Sequence, residues 1–180
     1  MPRIITVLAP GFEETEAVVI IDLLRRAQVK VTVLGLETRE VRGAHDITII
    51  ADETFSAFKS PFDGIVLSGG MPGTRNLAAS PALLDLIRQT NRRKGLCAAI
   101  CAAPTVLAKA GILKGVSATC FPGMEKELAG AVFIDQPVVR DNHIITSKGA
   151  GTAVPFVLEL ISYLAGKEAA ERVAAAIVYK

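Results

Sequence analysis

Short, almost continuous apolar runs alternate with amphipathic stretches along most of the chain. Four of the runs end in small residues and are typical of strands covered on both faces of a parallel sheet: 3–9, 30–36, 64–70 and 95–100. The other stretches have helical periodicity and predict five helices: Glu13–Ala27, Ser80–Arg93, Ala102–Ala110, Thr152–Ala165 and Glu168–Val178. Strand and helix alternate, so the pattern predicts right-handed crossovers and a doubly wound, mostly parallel α/β sheet with helices on both faces.

Two regions depart from this alternation. Residues 37–52 predict a hairpin or a pair of edge strands around the sequence RGAHD. Residues 117–147 predict several short strands and a small helix near 124–129. No repeat, linker or low-complexity segment divides the chain, so we expect one domain that comprises residues 1–180.

Composition and charge exclude several classes of protein. The net charge is +2 and the lysines and arginines are scattered, which argues against a nucleic acid or an anionic membrane as partner. The longest uncharged stretch, Gly95–Ala108, is too short to span a membrane and contains Pro104. The amino-terminal residues lack the pattern of a signal peptide, and the three cysteines are an odd number. We therefore expect reduced thiols in the cytoplasm.

The sequence AAICAAPT at 98–105 places a cysteine where a buried strand is predicted to turn into a helix. Reactive sites of open α/β sheets lie beyond the carboxyl ends of the strands, and small neighbours allow the tight turn of a nucleophile elbow. We expect Cys101 to be a nucleophile whose thiolate is favoured by the helix beginning at Ala102. The N–H groups of Ala102 and Gly70 are expected to stabilise an oxyanion. Cys97, in mid-strand, is expected to be an inert core residue.

Three carboxylates open the first predicted helix: Glu13, Glu14 and Glu16. Acidic residues suit this end of a helix, so all three have a structural explanation. A carboxyl group pressed against the cysteine site would instead have a raised pKa and could donate a proton to a thiolate or a substrate oxygen. Glu16 precedes an apolar block at 18–21, but spacing alone leaves the choice among the three open.

Other motifs predict no cofactor and no metal. SKGAGT at 147–152 lacks the spacing of a phosphate-binding loop, and Thr152 as a helix cap next to turn glycines accounts for it. No group of cysteines, histidines and carboxylates has the spacing of a zinc site. His143 is expected to be a structural or surface residue.

Four segments, APGFEETEAV, VLSGGMPG, AAICAAP and TSKGAGTA, occur in an order and at spacings that resemble the DJ-1/ThiJ/PfpI superfamily. They are most similar to its DJ-1/YajL branch, and the resemblance covers nearly the whole chain. It implies a flavodoxin-like fold and a homodimer. It also implies that Cys101 is the reactive cysteine, that Glu16 is its protonated carboxyl partner, and that Gly70 and Ala102 are the backbone donors.

The chain departs from this family at the histidine positions. DJ-1-like members carry a histidine beside the cysteine on a His-Pro step, and the matching step here is Phe121–Pro122, with Cys120 next to it. Peptidase members have a histidine directly after the cysteine, where Ala102 stands. Class I amidotransferases use a later His-x-Glu triplet, which this chain lacks. Peptidase and amidotransferase activities are therefore not expected.

Two basic positions have a counterpart at the family's dimer interface. His45 falls where dimeric relatives place an arginine that faces the partner's active site, and Arg26 resembles an arginine near the same interface. Either is a candidate for holding an anion close to Cys101. Arg25 and Arg26 are equally explained as charges that favour the carboxyl end of a helix.

Three functions follow as hypotheses. The first is a cofactor-independent enzyme that converts α-oxoaldehydes such as methylglyoxal to lactate, or releases glyoxal adducts from glycated proteins, and protects against carbonyl and oxidative stress. The second is a redox-sensing or chaperone protein in which Cys101 is oxidised to a sulfinate, or to a disulfide with Cys120 as resolving thiol. The third is a structural dimer with a cysteine that has lost its role.

Overall fold

A seven-stranded sheet is the centre of the computed structural model, which describes all 180 residues. In chain order the strands are β1 (Arg3–Leu8), β2 (Lys30–Gly35), β3 (Glu40–Arg42), β4 (Thr48–Ile50), β5 (Glu53–Thr54), β6 (Gly64–Leu67), β7 (Leu96–Ile100), β8 (Ser117–Ala118), β9 (Val132–Phe133), β10 (Val138–Asp141) and β11 (Ile144–Ser147). The strand order in the sheet is β10-β11-β7-β6-β1-β2-β5, and all neighbours are parallel except β10 and β11. The hairpin β3–β4 and the parallel pair β8–β9 lie outside this sheet.

Six α-helices accompany the strands: α1 (Glu14–Arg26), α2 (Gly73–Ala78), α3 (Pro81–Arg92), α4 (Pro104–Lys109), α5 (Ala153–Ala165) and α6 (Lys167–Ala176). Short 3-10 turns occur at Glu125–Glu127 and Ala150–Thr152. Helix α3 begins as its sequence predicts, because the Ser80 side chain accepts a hydrogen bond from the N–H of Leu83 and Pro81 follows the cap. None of the helices is both long and apolar enough to cross a bilayer.

Two hydrophobic cores lie on the two faces of the sheet. Successive residues of β1 alternate between them: Ile4 and Leu8 pack with α1, α5 and α6, whereas Ile5 and Val7 pack with α2, α3 and α4. A strand buried on both faces is apolar at every position, which is the pattern of the continuous runs in the sequence. The predicted doubly wound fold class is confirmed, and the carboxyl ends of β1, β6 and β7 meet at one edge of the sheet.

Most predicted elements are present, with small shifts at their ends. The predicted hairpin is the antiparallel pair β3–β4, and the small helix near 124–129 is the 3-10 turn. Helix α2 and strand β5 were not predicted, because six and two residues are too short to establish a period. The predicted start of α4 at Ala102 is wrong: residues 101–103 form a turn, and the helix begins at Pro104.

Candidate active site

Cys101 lies on a tight turn directly after β7. Its φ of +65° is in the left-handed region, which costs a residue with a side chain about 1–2 kcal/mol. Two backbone hydrogen bonds hold the turn: the Cys101 N–H donates to the carbonyl of Ser147 at 3.0 Å, and the Cys101 carbonyl accepts from the N–H of Phe121 at 2.8 Å. The neighbouring alanines are buried, and Cys101 itself is half-buried. The structure thus contains the strand-to-helix elbow that the sequence predicts.

Glycines let the loop after β6 approach the cysteine closely. A Cβ atom on Gly69 would lie 2.7 Å from the Cβ of Cys101 and 3.1 Å from Oε2 of Glu16, so no larger residue fits there. Gly70 has a φ of +92°, in the region that glycine adopts readily. The N–H groups of Gly70 and Ala102 both donate towards the Cys101 sulfur. The two predicted backbone donors therefore meet at the thiol.

The three glutamates at the start of α1 have different surroundings. Glu13 caps the helix, because its Oε2 accepts a hydrogen bond from the N–H of Glu16 at 2.6 Å. Glu14 binds the β3–β4 hairpin, with Oε1 accepting from the N–H of His45 at 2.6 Å. Glu16 alone turns towards Cys101. The structure thus resolves the choice that spacing left open, in agreement with the family resemblance.

The Glu16 side chain is fully buried, with 0% exposed. Its Oε2 accepts a hydrogen bond from the N–H of Gly69 at 2.7 Å, and no well-formed partner occupies Oε1. Burial raises the pKa of Glu16 to about 7, although the Gly69 N–H and the Cys101 thiol each lower it. The nearby charge of Glu13 adds a smaller increase to the same pKa. A carboxyl group with a pKa near neutrality can both donate and accept a proton.

The thiol does not have the low pKa that the sequence suggested. Burial, and then the charge of Glu16 and a hydrogen bond to it, raise the pKa of Cys101 to about 12, and the N–H groups of Ala102 and Gly70 only partly oppose this. The expectation relied on a helix starting at Ala102, and that helix starts two residues later. The part of the increase that comes from Glu16 requires an ionised carboxylate, so it disappears when Glu16 is protonated. Near neutral pH at most one of the two groups is therefore ionised.

Glu14 and His45 join the β3–β4 hairpin to the start of α1. Besides the bond from the His45 N–H, Oε2 of Glu14 lies 2.9 Å from Nδ1 of His45, whose side chain is 71% exposed. The hydrogen bond and charge of Glu14 raise the pKa of His45. Ligand atoms of Glu13, Glu14 and His45 lie within 4.8 Å of one another, a grouping that spacing did not predict. One oxygen of Glu13 and both oxygens of Glu14 already bind backbone N–H groups or His45, so hydrogen bonding explains the cluster.

Two other predicted residues lie apart from the cysteine. Arg26 is near the far end of α1, about 15 Å along the helix from Glu16 at 1.5 Å per residue, and pairs with Asp22 at 2.8 Å. Within one chain it therefore does not reach Cys101, and a role across a dimer interface stays a prediction. Cys120 is buried in the core beneath α2, α3 and α4, whereas Cys101 packs against the opposite core. A disulfide between the two stays a prediction.

Sequence reasoning missed two contributions to the site. The N–H of Gly69 holds the Glu16 carboxyl group, and the glycine pair after a predicted strand was the available signal. Glu14 anchors the hairpin beside the site, and no local pattern indicated this, because its partner His45 is 31 positions away.

The fold and the cysteine–carboxyl pair define a class of flavodoxin-like α/β proteins with a cysteine at a strand-to-helix elbow, and comparison with known proteins agrees. Residues 2–163 match the model of the DJ-1/PfpI family. The chain is 44% identical to protein dj-1beta of Drosophila melanogaster, over 94% of this chain and 93% of the relative. The crystal structure of Drosophila melanogaster DJ-1beta superposes with a TM-score of 0.96 at 40% identity, covering 99% of this chain and 98% of that one.

The chain therefore belongs to the DJ-1/PfpI family. Another relative is the glutathione-independent glyoxalase DJR-1.2 of Caenorhabditis elegans, which is 36% identical over 87% of this chain and 84% of its own length. The family therefore includes a relative that is named as an enzyme.

Proposed function

We propose that the protein is a cofactor-independent enzyme that acts on α-oxoaldehydes, converting methylglyoxal to lactate, releasing glyoxal adducts from protein amines and thiols, or both. The observation that carries the proposal is the half-buried Cys101 beside the fully buried Glu16, with two N–H groups directed at the sulfur. The related glyoxalase of Caenorhabditis elegans supports this class of reaction.

The reaction needs no oxidant and no cofactor. As the sulfur of Cys101 forms a bond to the aldehyde carbon, the carbonyl π electrons move to oxygen, and the thiol proton passes through Glu16 to that oxygen to give a hemithioacetal. The N–H groups of Gly70 and Ala102 stabilise the developing negative charge. The Glu16 carboxylate then removes the proton from the former aldehyde carbon to give an enediolate. It relays the hydroxyl proton to the neighbouring oxygen and returns the carbon-bound proton to the neighbouring carbon, which gives a thioester. Water hydrolyses the thioester to lactate and restores the thiol.

Glu16 carries every proton transfer in this scheme. Phe121 occupies the position of the family histidine, and a phenyl ring can neither donate nor accept a proton. The pKa of Glu16, raised to about 7, suits alternating acid and base roles near neutral pH. Glu16 alone carries the proton transfers that a glutamate and a histidine would otherwise share, so we expect a modest turnover rate.

The test is lactate formation from methylglyoxal by the wild-type protein, Cys101→Ser, Glu16→Gln and Cys97→Ser. A buffer without amines is required, because amines add reversibly to aldehydes and imitate consumption. We expect no lactate from Cys101→Ser and at least a hundredfold loss in Glu16→Gln, in line with about 10²–10⁴ for general acid–base catalysis. Cys97→Ser controls for loss of a thiol. Equal lactate formation by the wild type and Cys101→Ser would reject the proposal.

A second candidate function is redox sensing, with a protective or chaperone role in which turnover is incidental. A protonated Glu16 beside the half-exposed Cys101 is placed to donate a hydrogen bond to an oxidised sulfur. Hydrogen peroxide would oxidise the thiolate to a sulfenate with release of water, and a second equivalent would give the sulfinate. Intact mass after limiting peroxide distinguishes the products: a gain of two oxygens indicates sulfinate, and a loss of two hydrogens indicates a disulfide with Cys120. Absence of both lactate and oxidation would leave the structural-dimer hypothesis.

We further propose that residues 1–180 act as one domain in the cytoplasm and that two copies form a homodimer. A groove on the surface is lined by apolar residues of α1 and β4, including Val18, Ile21, Ile49 and Ile50. Val18 is 50% exposed and Ile50 is 61% exposed, which is unusual for side chains of this size. Light scattering of the wild type and Ile50→Lys tests the dimer, since a buried lysine at this position would dissociate it.

A further inference from the structure

Phe121 stands directly at the Cys101 thiol. Its N–H donates to the Cys101 carbonyl at 2.8 Å, which fixes the backbone of the two residues side by side. A Cβ atom built on Gly149 would lie 3.5 Å from Cδ2 of the Phe121 ring and 4.0 Å from the Cys101 sulfur. The ring and the sulfur thus border the same small space above Gly149.

The ring is exposed although it is large and apolar. Phe121 is 48% exposed, and Met71, which directly follows the donor residue Gly70, is 41% exposed. Most phenylalanines of this chain are less exposed: Phe12 and Phe156, for example, are fully buried. We call Phe121 and Met71 the apolar rim. The Phe121 ring borders the sulfur directly, and the Met71 thioether extends the apolar surface into the groove between α2 and α4. Together they offer a surface for an aromatic or aliphatic group.

The surroundings of the sulfur contain no compensating positive charge. The one charged side chain that changes the pKa of Cys101 is the acidic Glu16, and the hydrogen-bond donors to the sulfur are backbone N–H groups. Lys148 pairs with Asp135 at 2.5 Å, and Arg26 pairs with Asp22 at the other end of α1. A negatively charged substituent held against the Phe121 ring would therefore lie near Glu16, whereas the cations Arg75 and Lys109 line the groove on the far side of Met71.

We infer that the apolar rim selects carbonyl substrates that carry an uncharged aromatic or alkyl group, with Phe121 as the specificity-determining residue. For the enzymatic reaction this inference rests on the proposed function, whereas the selectivity itself depends only on the thiol and its surroundings. It therefore applies to any electrophile that adds to Cys101. Phenylglyoxal is expected to be a better substrate than methylglyoxal on this protein.

The test compares the rates at which N-phenylmaleimide, unsubstituted maleimide and N-(4-carboxyphenyl)maleimide alkylate Cys101, with the site of addition mapped by peptide mass. In this addition the sulfur bonds to one alkene carbon and the thiol proton goes to the other. The proteins are the wild type, Phe121→Ser, Phe121→Leu and Phe58→Ser. Phe58 is a half-buried phenylalanine in the loop before β6, at the opposite end of the sheet, and serves as the matched control.

We expect the ratio of phenylmaleimide to maleimide rates to fall about three- to tenfold in Phe121→Ser, the range expected for loss of one aromatic contact. Phe121→Leu should lose less, and Phe58→Ser should match the wild type. An unchanged ratio in Phe121→Ser, or faster reaction of the carboxylate probe than of the phenyl probe in the wild type, would overturn the inference.

The same proteins are assayed for lactate or mandelate from methylglyoxal and phenylglyoxal, which separates the two proposals. A lower alkylation ratio in Phe121→Ser without product from either aldehyde supports the rim and rejects the proposed enzyme. Product from both aldehydes with an unchanged alkylation ratio supports the enzyme and rejects the rim.

Discussion

Replacing Glu16 by glutamine should remove a pH-dependent loss of stability from the wild-type protein. Burial raises the pKa of Glu16 from 4.5 to about 7 in the folded state. Between these two pH values the unfolded chain has released the proton while the folded chain keeps it. The free energy of unfolding therefore falls as pH rises from about 4.5, and the loss is complete above about 7.

The magnitude follows from the difference between the two pKa values. About 2.5 pKa units at 1.36 kcal/mol each correspond to about 3 kcal/mol. Glutamine keeps an oxygen that can accept the hydrogen bond from the Gly69 N–H, and it does not ionise. Relative to the wild type, Glu16→Gln should gain up to about 3 kcal/mol between about pH 5 and pH 8, while losing lactate formation. The ionisable Glu16 would then serve the proposed reaction and at the same time lower the stability of the wild-type protein.

Urea unfolding at a fixed protein concentration, repeated across this pH range, measures the effect. The difference between wild type and variant isolates Glu16, because all other titrating groups are common to both proteins. Glu40→Gln makes the same chemical change on an exposed strand and serves as the control. If the difference in free energy of unfolding between wild type and Glu16→Gln does not change with pH, the reasoning is refuted. Glu16 would then ionise as readily in the folded chain as in the unfolded one.

Three further predictions concern the neighbours of this pair. Gly69→Ala should slow alkylation of Cys101 at least tenfold, because the added Cβ would lie 2.7 Å from the Cβ of Cys101; an unaltered alkylation rate in the folded variant would contradict this. His45→Asn should remove the stabilisation that comes from the raised pKa of His45 beside Glu14. This contribution is present below about pH 6.5 and is lost as pH rises through the raised pKa of the folded state. The free energies of unfolding of wild type and variant, measured in urea, should therefore converge at alkaline pH. Cys97→Ser should cost about 1–3 kcal/mol in the same assay, because it places a hydroxyl group in a fully buried strand, and leave the alkylation rate of Cys101 unchanged.

Individual strands and turns show which parts of the structure the sequence pattern predicts. The apolar runs predicted β1, β2, β6 and β7 to within a few residues, because strands buried on both faces must be apolar throughout. The elbow at Cys101 was predictable as well, since small residues between a buried strand and a proline-started helix are typical of a tight strand-to-helix turn. The start of α4 was not, because the turn at residues 101–103 depends on the backbone partners Ser147 and Phe121, which are far away in the chain.

The sequence by itself therefore determined the fold class, the position of the cysteine at the elbow and the family motifs, all of which depend on local pattern and spacing. Only the tertiary structure decided which glutamate meets the cysteine. The three side chains are chemically identical and lie close together in the sequence. Nevertheless Glu13 caps the helix, Glu14 binds the hairpin and Glu16 is buried at the thiol. Burial and long-range hydrogen bonds create these differences. The pKa values of Glu16 and Cys101 follow from burial first, so both depend on how the folded chain excludes water from the pair.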